Sequence, residues 1–290
     1  MYKIFLMMLL VSTIYAQKIE FEVLGSGGPE IDGRASASYI VWIDDKARVL
    51  VDAGSGSMLR FEQSGAKLED LEVIVLTHMH IDHSVDLPSY VKAGYFSDRR
   101  AVLPILGPNG NKYFPDIKAF LEALFGSGGA YKYMSDVLDK ESDSFEIVPV
   151  EIDSSSVIYK KFKSFNLELT NVNHGNVPAI AVRINIGSKS ILVSGDTNNE
   201  NKSLQKLAKD VDLFVAHHAI PQGADGYATH LHMKPLEIGA VAKSAHVKKI
   251  LLTHRMRRTI GREKSTLNFI RENYKGEVLF AEDRMRVLVD

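Results

Sequence analysis

Four potential metal ligands stand within six residues, directly after an aliphatic run. The stretch Val73-Ile-Val-Leu-Thr-His-Met-His-Ile-Asp-His-Ser84 contains His78, His80, Asp82 and His83. Because side chains two positions apart on a strand point the same way, His78 and His80 can present two imidazoles to one ion. Asp82 and His83 would then lie on the following turn and reach a second ion. Donors of this kind and spacing favour Zn²⁺, and a purely structural cluster is the weaker alternative.

Composition restricts the chemistry of such a site. The chain has no cysteine, which excludes disulfides, thiolate ligands and a Cys nucleophile, so that any metal must be held by nitrogen and oxygen. Among the 290 residues, 35 Lys and Arg nearly balance 36 Asp and Glu. This balance predicts no broad attraction to nucleic acid or to an anionic membrane. Recognition of an anion must therefore be local.

The first residues, MYKIFLMMLLVSTIYA, have the pattern of a secretory signal peptide. Lys3 precedes an apolar run over residues 4–11, and small and polar residues follow as far as Ala16. We therefore predict a signal peptide over residues 1–16 and a periplasmic or secreted protein. The run is shorter than the roughly 20 residues that span a bilayer, so stable membrane insertion is not expected. A buried N-terminal strand is the alternative interpretation.

The remainder of the chain alternates β-rich runs, turn signals and helical periodicity. Strands are predicted over residues 19–24, 39–43, 49–52, 73–76, 146–152, 157–162, 167–172, 180–184, 191–193, 213–216 and 250–252. Helices are predicted over residues 58–63, 87–93, 115–125, 201–209, 235–246 and 265–274. These elements predict an α/β fold, an αββα sandwich of two packed mixed sheets flanked by helices. We expect one domain over residues 17–290, with an insertion over the site at about residues 107–144.

The spacing His-x-His-x-Asp-His resembles the signature of the metallo-β-lactamase superfamily, and the resemblance extends along nearly the whole chain after residue 16. Val49-Leu-Val-Asp-Ala-Gly-Ser-Gly56 resembles the superfamily's early Asp-Gly loop, with Ala53 before the glycine. Later motifs are matched by Asn173-His174-Gly175, Ser194-Gly-Asp-Thr197 and Leu252-Thr-His254. The resemblance implies one metal held by His78, His80 and His174, another held by Asp82, His83 and His254, and Asp196 bridging both. Two Zn²⁺ are expected, with Mn²⁺ or Fe as alternatives.

The resemblance also implies a mechanism and a branch. A hydroxide shared by two metals about 3.5–4 Å apart would attack an electrophilic centre, with Asp82 orienting it or moving its proton. The segments Leu106-Gly-Pro-Asn-Gly110, Ala216-His-His218 and Thr229-His-Leu-His-Met-Lys-Pro235 resemble the ribonuclease Z and arylsulfatase-like branch. In that branch a histidine before the penultimate helix assists at the scissile group. His232 matches it best and His230 less well; a polar residue at a helix start is the alternative.

Departures from the tRNA-processing members argue against a tRNA partner. Those members have Gly-Leu-Pro where this chain has Asp86-Leu-Pro88, and they have Glu where His218 stands. Residues 154–163 also leave no room for their flexible, tRNA-gripping arm. A signal peptide would further separate the protein from tRNA.

Local positive charge near the last motif predicts contacts to an anionic ester. The candidates are Lys234, Arg255, Arg257 and His218, with Arg258 beside them. Arginine binds tetrahedral oxyanions through its planar fork, although a solvated basic turn remains the alternative.

Our hypothesis from sequence is a secreted, dinuclear metal-dependent hydrolase of a small phosphodiester or sulfate ester, arylsulfatase-like or phosphodiesterase-like. A lactonase or β-lactamase-type hydrolase of C–O or C–N bonds is the first alternative. A non-catalytic metal-binding or ligand-binding module of the same fold is the second. Members of this branch are often dimers, so the resemblance allows a homodimer.

Overall fold

Two seven-stranded sheets pack face to face and helices cover both outer surfaces in the computed structural model, which describes residues 17–139, 145–154 and 156–290. The predicted αββα sandwich with mixed sheets is confirmed. The predicted signal peptide over residues 1–16 lies outside the described residues and stays a prediction. Within the described ranges, no helix combines the length and the apolar character needed to cross a membrane.

The first sheet has the strand order β14-β1-β2-β3-β4-β5-β6. Its strands are β1 (Ile19–Gly25), β2 (Ser38–Ile43), β3 (Lys46–Val51), β4 (Val73–Val75), β5 (Leu103–Pro108), β6 (Ile147–Ile152) and β14 (Arg286–Leu288). Pairing is antiparallel from β14 to β3 and parallel from β3 to β6. The parallel part carries the segment that contains the histidine motif.

The second sheet has the order β13-β12-β11-β10-β9-β8-β7. Its strands are β7 (Ile158–Lys161), β8 (Asn166–His174), β9 (Val177–Ile186), β10 (Lys189–Val193), β11 (Leu213–His217), β12 (Lys249–Thr253) and β13 (Glu277–Phe280). Pairing is antiparallel from β7 to β10 and parallel from β10 to β13. Each sheet is therefore half antiparallel and half parallel.

Helices form the two outer layers. They are α1 (Ser57–Gln63), α2 (Ile81–Ser84), α3 (Leu87–Gly94), α4 (Ile117–Phe125), α5 (Leu204–Ala208), α6 (Pro235–Ser244) and α7 (Glu263–Asn273). Short 3₁₀ helices lie at Leu68–Asp70, Lys132–Val137 and Gly226–His230. Buried residues of α1, α3 and α4 join the outer core of the first sheet, and those of α5, α6 and α7 join that of the second.

The aliphatic run before the histidine motif is buried on both faces of its sheet. Val73 and Val75 point into the core between the sheets, whereas Ile74 and Leu76 point into the helical outer core. A strand covered on both sides needs apolar residues at every position, which explains why this run shows no alternation. Strand β4 ends at Val75, so the histidine motif begins just beyond its carboxyl end.

The segment predicted as an insertion begins inside a strand, and its predicted end is not among the described residues. Gly107 and Pro108 belong to β5, and residues 140–144 lie outside the described residues. Helix α4 buries Ile117, Leu121 and Phe125 in the outer core of the first sheet. Most of the described segment is thus part of the helical layer rather than a cover over the site.

Other elements were wrongly bounded or absent in the prediction, among them β5 and α5. Strand β5 was not predicted, because Pro104, Gly107 and Pro108 look like turn residues although they lie in the parallel part of the sheet. Helix α5 is shorter than the predicted residues 201–209. Lys202 adopts a left-handed conformation (φ 56°), which a continuous right-handed helix does not allow.

Candidate metal centre

The predicted metal ligands meet at one edge of the sandwich. His78 and His80 follow β4, Asp82 and His83 lie in α2, His174 ends β8, Asp196 follows β10 and His254 follows β12. Strands β8, β10 and β12 run in the same direction in the second sheet. Their carboxyl ends therefore open at the same edge, which is where sites form in sheets with parallel strands.

The first group of donors comes from His78, His80 and His174. Their ligand atoms lie within 4.8 Å of one another. Nε2 of His78 is 3.0 Å from Nδ1 of His80. Oδ2 of Asp196 is 3.9 Å from Nε2 of His78 and 3.7 Å from Nε2 of His174. Tetrahedral bonds of about 2.0–2.1 Å to zinc would separate donors by about 3.4 Å, so these spacings suit one ion.

The second group comes from Asp82, His83 and His254, again within 4.8 Å of one another. Oδ2 of Asp82 is 3.1 Å from Nε2 of His254 and 3.6 Å from Nε2 of His83. Oδ2 of Asp196 is 3.6 Å from Nε2 of His254 and 3.8 Å from Nε2 of His83. One oxygen of Asp196 thus faces both groups, which is the position that a bridging ligand needs.

Buried donors without partners support a fit to metal ions. Among the described residues, Nε2 of His83 and Nε2 of His174 are buried and accept or donate no hydrogen bond. An unsatisfied buried polar atom costs about 1–3 kcal/mol. A divalent ion bound by each nitrogen would remove this cost, and the all-nitrogen and oxygen donor set is one that Zn²⁺ accepts.

Neighbouring groups fix which nitrogen of each ring faces the site. Nδ1 of His83 is 2.8 Å from Oδ2 of Asp52, and that carboxylate also accepts from the backbone N–H and the hydroxyl of Thr77. Nδ1 of His174 donates to the carbonyl of Leu231 at 2.9 Å. A ring that donates through Nδ1 keeps the lone pair of Nε2 free for a metal. Both rings are held in the ligating orientation.

His217 belongs to this centre and was missed from the sequence. Its Nδ1 lies 2.8 Å from Oδ1 of Asp196, and its Nε2 lies 3.1 Å from the hydroxyl of Tyr39. The prediction selected His218 from the same pair. The available signal was the two-residue period of β11, since the strand ends at His217 and successive side chains point to opposite faces.

Burial and the neighbouring charged groups shift the pKa values of the side chains in this centre. Burial alone would lower the pKa of His83, but the carboxylates of Asp52 and Asp82 raise it to about 9. Burial opposes ionisation of Asp196, yet the surrounding imidazoles, that of His254 foremost, hold its pKa well below the usual range. Burial, together with the neighbouring imidazoles, lowers the pKa of His78 well below its usual range. The centre thus combines an ionised carboxylate at Asp196, a protonated ring at His83 and a neutral ring at His78.

The backbone is unusual at two of the residues that form this edge. Asp52 and His254 both adopt left-handed conformations, with φ values of 61° and 50°. Non-glycine residues rarely do so, and such positions cluster at functional sites. Gly54 lies against the same edge, where a Cβ atom would stand 2.2 Å from the carbonyl oxygen of Asp82. The loop after β3 therefore needs glycine there to approach α2.

His232, predicted as a catalytic residue, lies beside Asp196. Its Nδ1 is 3.8 Å from Oδ2 of Asp196, and this buried nitrogen has no hydrogen-bond partner among the described residues. Burial lowers the pKa of His232 to about 3, so the free ring is neutral at pH 7. His230 is exposed, at the end of the 3₁₀ helix Gly226–His230.

The residues predicted to bind an anionic ester make other contacts in the structure, and their role in binding stays a prediction. His218 is fully buried, and its Nε2 contacts the hydroxyl of Thr266 in α7 at 3.2 Å, away from the donor groups. Arg255 pairs with Glu263 and lies over the ring of Phe280.

Arg257 and Lys234 also lie outside the donor groups. Arg257 donates to the carbonyl of Ile31, and Lys234 is the residue before α6. Contacts between residues far apart in the sequence, such as that of Arg257 with Ile31, cannot be predicted from a local run of charged residues.

Comparisons with known proteins agree with this architecture. A family described as the β-lactamase superfamily domain matches residues 47–255. The ribonuclease Z of Lactococcus lactis subsp. cremoris is 26% identical over 282 residues, covering 84% of this chain and 90% of that protein. The ribonuclease Z of Ligilactobacillus salivarius is 24% identical over 280 residues, covering 84% and 88%.

Solved structures are similar at the level of the fold. The metallo-β-lactamase fold protein YhfI from Bacillus subtilis has a TM-score of 0.75 at 22% identity and covers 94% of this chain and 100% of its own. Human tRNase Z, short form, has a TM-score of 0.68 at 18% identity, with coverage of 93% and 99%. A diphosphatase from the PhnP family has a TM-score of 0.60 at 16% identity, with coverage of 93% and 97%.

Proposed function

The chain belongs to the β-lactamase superfamily domain family, and from that premise we propose that it is a dinuclear metal-dependent hydrolase of phosphodiesters. The observation that carries the proposal is the position of Asp196. Its Oδ2 lies 3.6–3.9 Å from ligand nitrogens of both donor groups. A single carboxylate oxygen shared by two three-residue groups is the arrangement expected of a two-metal site.

Two divalent ions bound there would act as Lewis acids, lower the pKa of a water and hold the oxygens of the substrate. The chain's own residues supply orientation and proton transfer. Asp82 holds His254 at 3.1 Å, and the imidazoles of His83 and His254 keep its pKa below the usual range against the effect of burial. It therefore remains a carboxylate that can accept a proton from the attacking group.

His232 is the proposed proton donor to the leaving group. It is buried beside Asp196, and its Nδ1 has no partner among the described residues, so this nitrogen is free to contact a substrate oxygen. A neutral imidazole can give the proton on one ring nitrogen to the leaving oxygen while its other nitrogen takes up a proton from water, so that the ring ends neutral.

Phosphodiester substrates are favoured over the alternatives by the relatives' names. Ribonuclease Z and a PhnP-family diphosphatase are both named for cleavage at phosphorus. Sulfate esters share the tetrahedral anionic shape and remain the first alternative. Lactones and β-lactams follow, and a non-catalytic module is disfavoured because both donor groups are complete.

A small substrate is preferred to tRNA. Strand β6 ends at Ile152 and β7 begins at Ile158, so the connection in which the resemblance would place a tRNA-binding arm is only residues 153–157. The relatives named ribonuclease Z keep tRNA as the competing substrate. Secretion or a periplasmic location, directed by residues 1–16, is part of the same proposal, as is a homodimer.

Turnover by the purified, zinc-loaded protein tests the function. The substrates are bis(4-nitrophenyl) phosphate, 4-nitrophenyl phosphate, 4-nitrophenyl sulfate, a lactone set, nitrocefin and a tRNA precursor. We expect the phosphodiester to be cleaved fastest and Asp82→Ala to abolish cleavage. Preferred cleavage of the sulfate, the lactones, nitrocefin or the tRNA precursor would contradict the substrate class, and no turnover of any would contradict hydrolysis.

A further inference from the structure

An apolar pocket opens beside the metal-binding motif. It has a volume of about 280 Å³ and lies between the motif and helix α4. Met79, Ile81 and Val85 line one wall, and Phe120, Leu124 and Tyr131 line the other. None of the described residues that line it carries a charge. The pocket therefore suits an uncharged, apolar group and is large enough to hold an aromatic ring.

The pocket is continuous with the metal centre along the chain. Met79 lies between the ligands His78 and His80, and Ile81 immediately precedes Asp82. Helix α2 buries Asp82 in the centre, whereas the side chain of Ile81 is 68% exposed on the pocket side. One helical turn thus presents a metal ligand on one face and an apolar wall on the other.

The centre is most exposed at His80. His80 is only partly buried, unlike the fully buried His78. The ring of Phe114 stands 6.3 Å from the ring of His80, measured between centroids. An aromatic ring therefore borders the most accessible ligand of the centre, and Met79, the residue before that ligand, lines the pocket.

Helix α4 is built with two apolar stripes. Ile117, Leu121 and Phe125 are buried against the first sheet, and Phe120 and Leu124 are half-buried on the side that faces the pocket. Residues four apart share one face of a helix, so Phe120 and Leu124 form a continuous wall. Phe120 and Leu124 also pack against the outer core of the first sheet, which fixes the position of this wall beside the motif.

We propose that this pocket binds the apolar substituent of the ester whose phosphoryl group lies at the metal centre; the proposal rests on the proposed function. The absence of charge in the lining assigns the anionic part of the substrate to the metals and the uncharged part to the pocket. The substrate class is then an ester bearing an aryl or alkyl group. Patches of exposed apolar surface next to a site commonly serve binding in this way.

Binding of two non-hydrolysable probes tests the proposal without requiring turnover. Methylphosphonate and benzylphosphonate carry the same anionic head group and differ in the apolar group. Calorimetry with the zinc-loaded full chain should give about tenfold tighter binding of benzylphosphonate. Leu124→Gln should reduce this preference to about twofold, and Tyr131→Ser provides a second variant if Leu124→Gln does not fold.

Phe96→Ser is the matched control, because Phe96 is 82% exposed and does not line the pocket. It should leave the tenfold preference unchanged. Equal affinities for the two probes in the native protein, a preference that survives both pocket variants, or no binding of either probe would overturn the proposal. The proposal would also be overturned if light scattering showed a dimer that the pocket variants dissociate while the preference for benzylphosphonate persists. A second copy of the chain would then occupy the pocket.

The two experiments distinguish a failure of the pocket proposal from a failure of the proposed function. A benzyl preference without turnover of any ester would retain the pocket and reject hydrolysis. Turnover of phosphodiesters without a benzyl preference would retain hydrolysis and reject the pocket.

Discussion

Nδ1 of His217 lies 2.8 Å from Oδ1 of Asp196, the oxygen opposite to the one that faces both donor groups. His217 is in turn held by the hydroxyl of Tyr39, which also contacts the hydroxyl of Thr253 at 3.3 Å. All of these side chains are buried. This hydrogen-bonded series fixes the orientation in which Asp196 can face two ions at once.

Replacing His217 should therefore weaken metal binding. We expect His217→Ala to lower the affinity for zinc by about 10–100-fold, as is typical when a group that orients a ligand is removed. Competition with a chromogenic chelator measures the affinity. Tyr39→Phe, which loses only the contact to Nε2, should have a smaller effect. Equal zinc affinities for His217→Ala and the native protein would contradict this role.

Asp52 should control one donor group more than the other. Its carboxylate fixes Nδ1 of His83, which belongs to the group with Asp82 and His254. Asp52→Asn should weaken one bound ion by about 10–100-fold and leave the other bound after dialysis. Elemental analysis after dialysis counts the ions. Asp86→Asn is the control, because that carboxylate accepts from the backbone of Met58 and not from a ligand. Retention of two ions by Asp52→Asn would argue against the assignment.

His232 should matter most for substrates with poor leaving groups. A proton donor to the leaving oxygen is nearly dispensable for 4-nitrophenolate but important for an alkoxide. His232→Ala should lower kcat by roughly 100-fold for an alkyl phosphodiester and by less than tenfold for bis(4-nitrophenyl) phosphate. Metal content should stay at the native value. An equal loss for both substrates would indicate that His232 does not donate the proton.

Acid should destabilise the fold through His218. Burial, assisted by the nearby guanidinium of Arg255, lowers the pKa of His218 to about 4, against about 6.5 in the unfolded chain. Between these values the unfolded state binds a proton that the folded state does not, so the free energy of unfolding falls as the pH falls through this window. The loss attributable to His218 is roughly 3 kcal/mol.

Urea unfolding of the metal-free protein at pH 7 and pH 4.5 measures this loss. His218→Gln should lose less stability on acidification than the native protein does. His246→Gln is the control, since the side chain of His246 is 77% exposed, and should lose as much as the native protein. Identical acid losses in the native protein and His218→Gln would contradict the assignment.

Much of the fold was predictable because the residues that build it act locally. The aliphatic runs, turn residues and helical stripes predicted most strands and the sandwich that they form. Strand β5 was not predictable in this way, since Pro104 and Pro108 resemble turn residues until their neighbours β4 and β6 are known. The edge strands β13 and β14 are short and only partly buried, so they carry a weak local pattern.

The residues of the site were likewise predictable only where the signal is local in the sequence. The motif from His78 to His83 is recognisable from its spacing and the later ligands from the resemblance to the superfamily, and the structure brings them together. The choice between His217 and His218 depends on where β11 ends, which the sequence defines only to within a residue or two. The role of Arg255 depends on Glu263 and Phe280, whose proximity arises only in the folded chain.

The metal content of the protein tests the central claim most directly. Native protein and Asp196→Asn would be purified without added metal and assayed by elemental analysis, with circular dichroism to verify that both are folded. Because Oδ2 of Asp196 faces both donor groups, we predict two divalent ions per native chain and weakened binding of both in the variant. A native protein without bound metal, or a variant that keeps both ions at full affinity, would contradict the account.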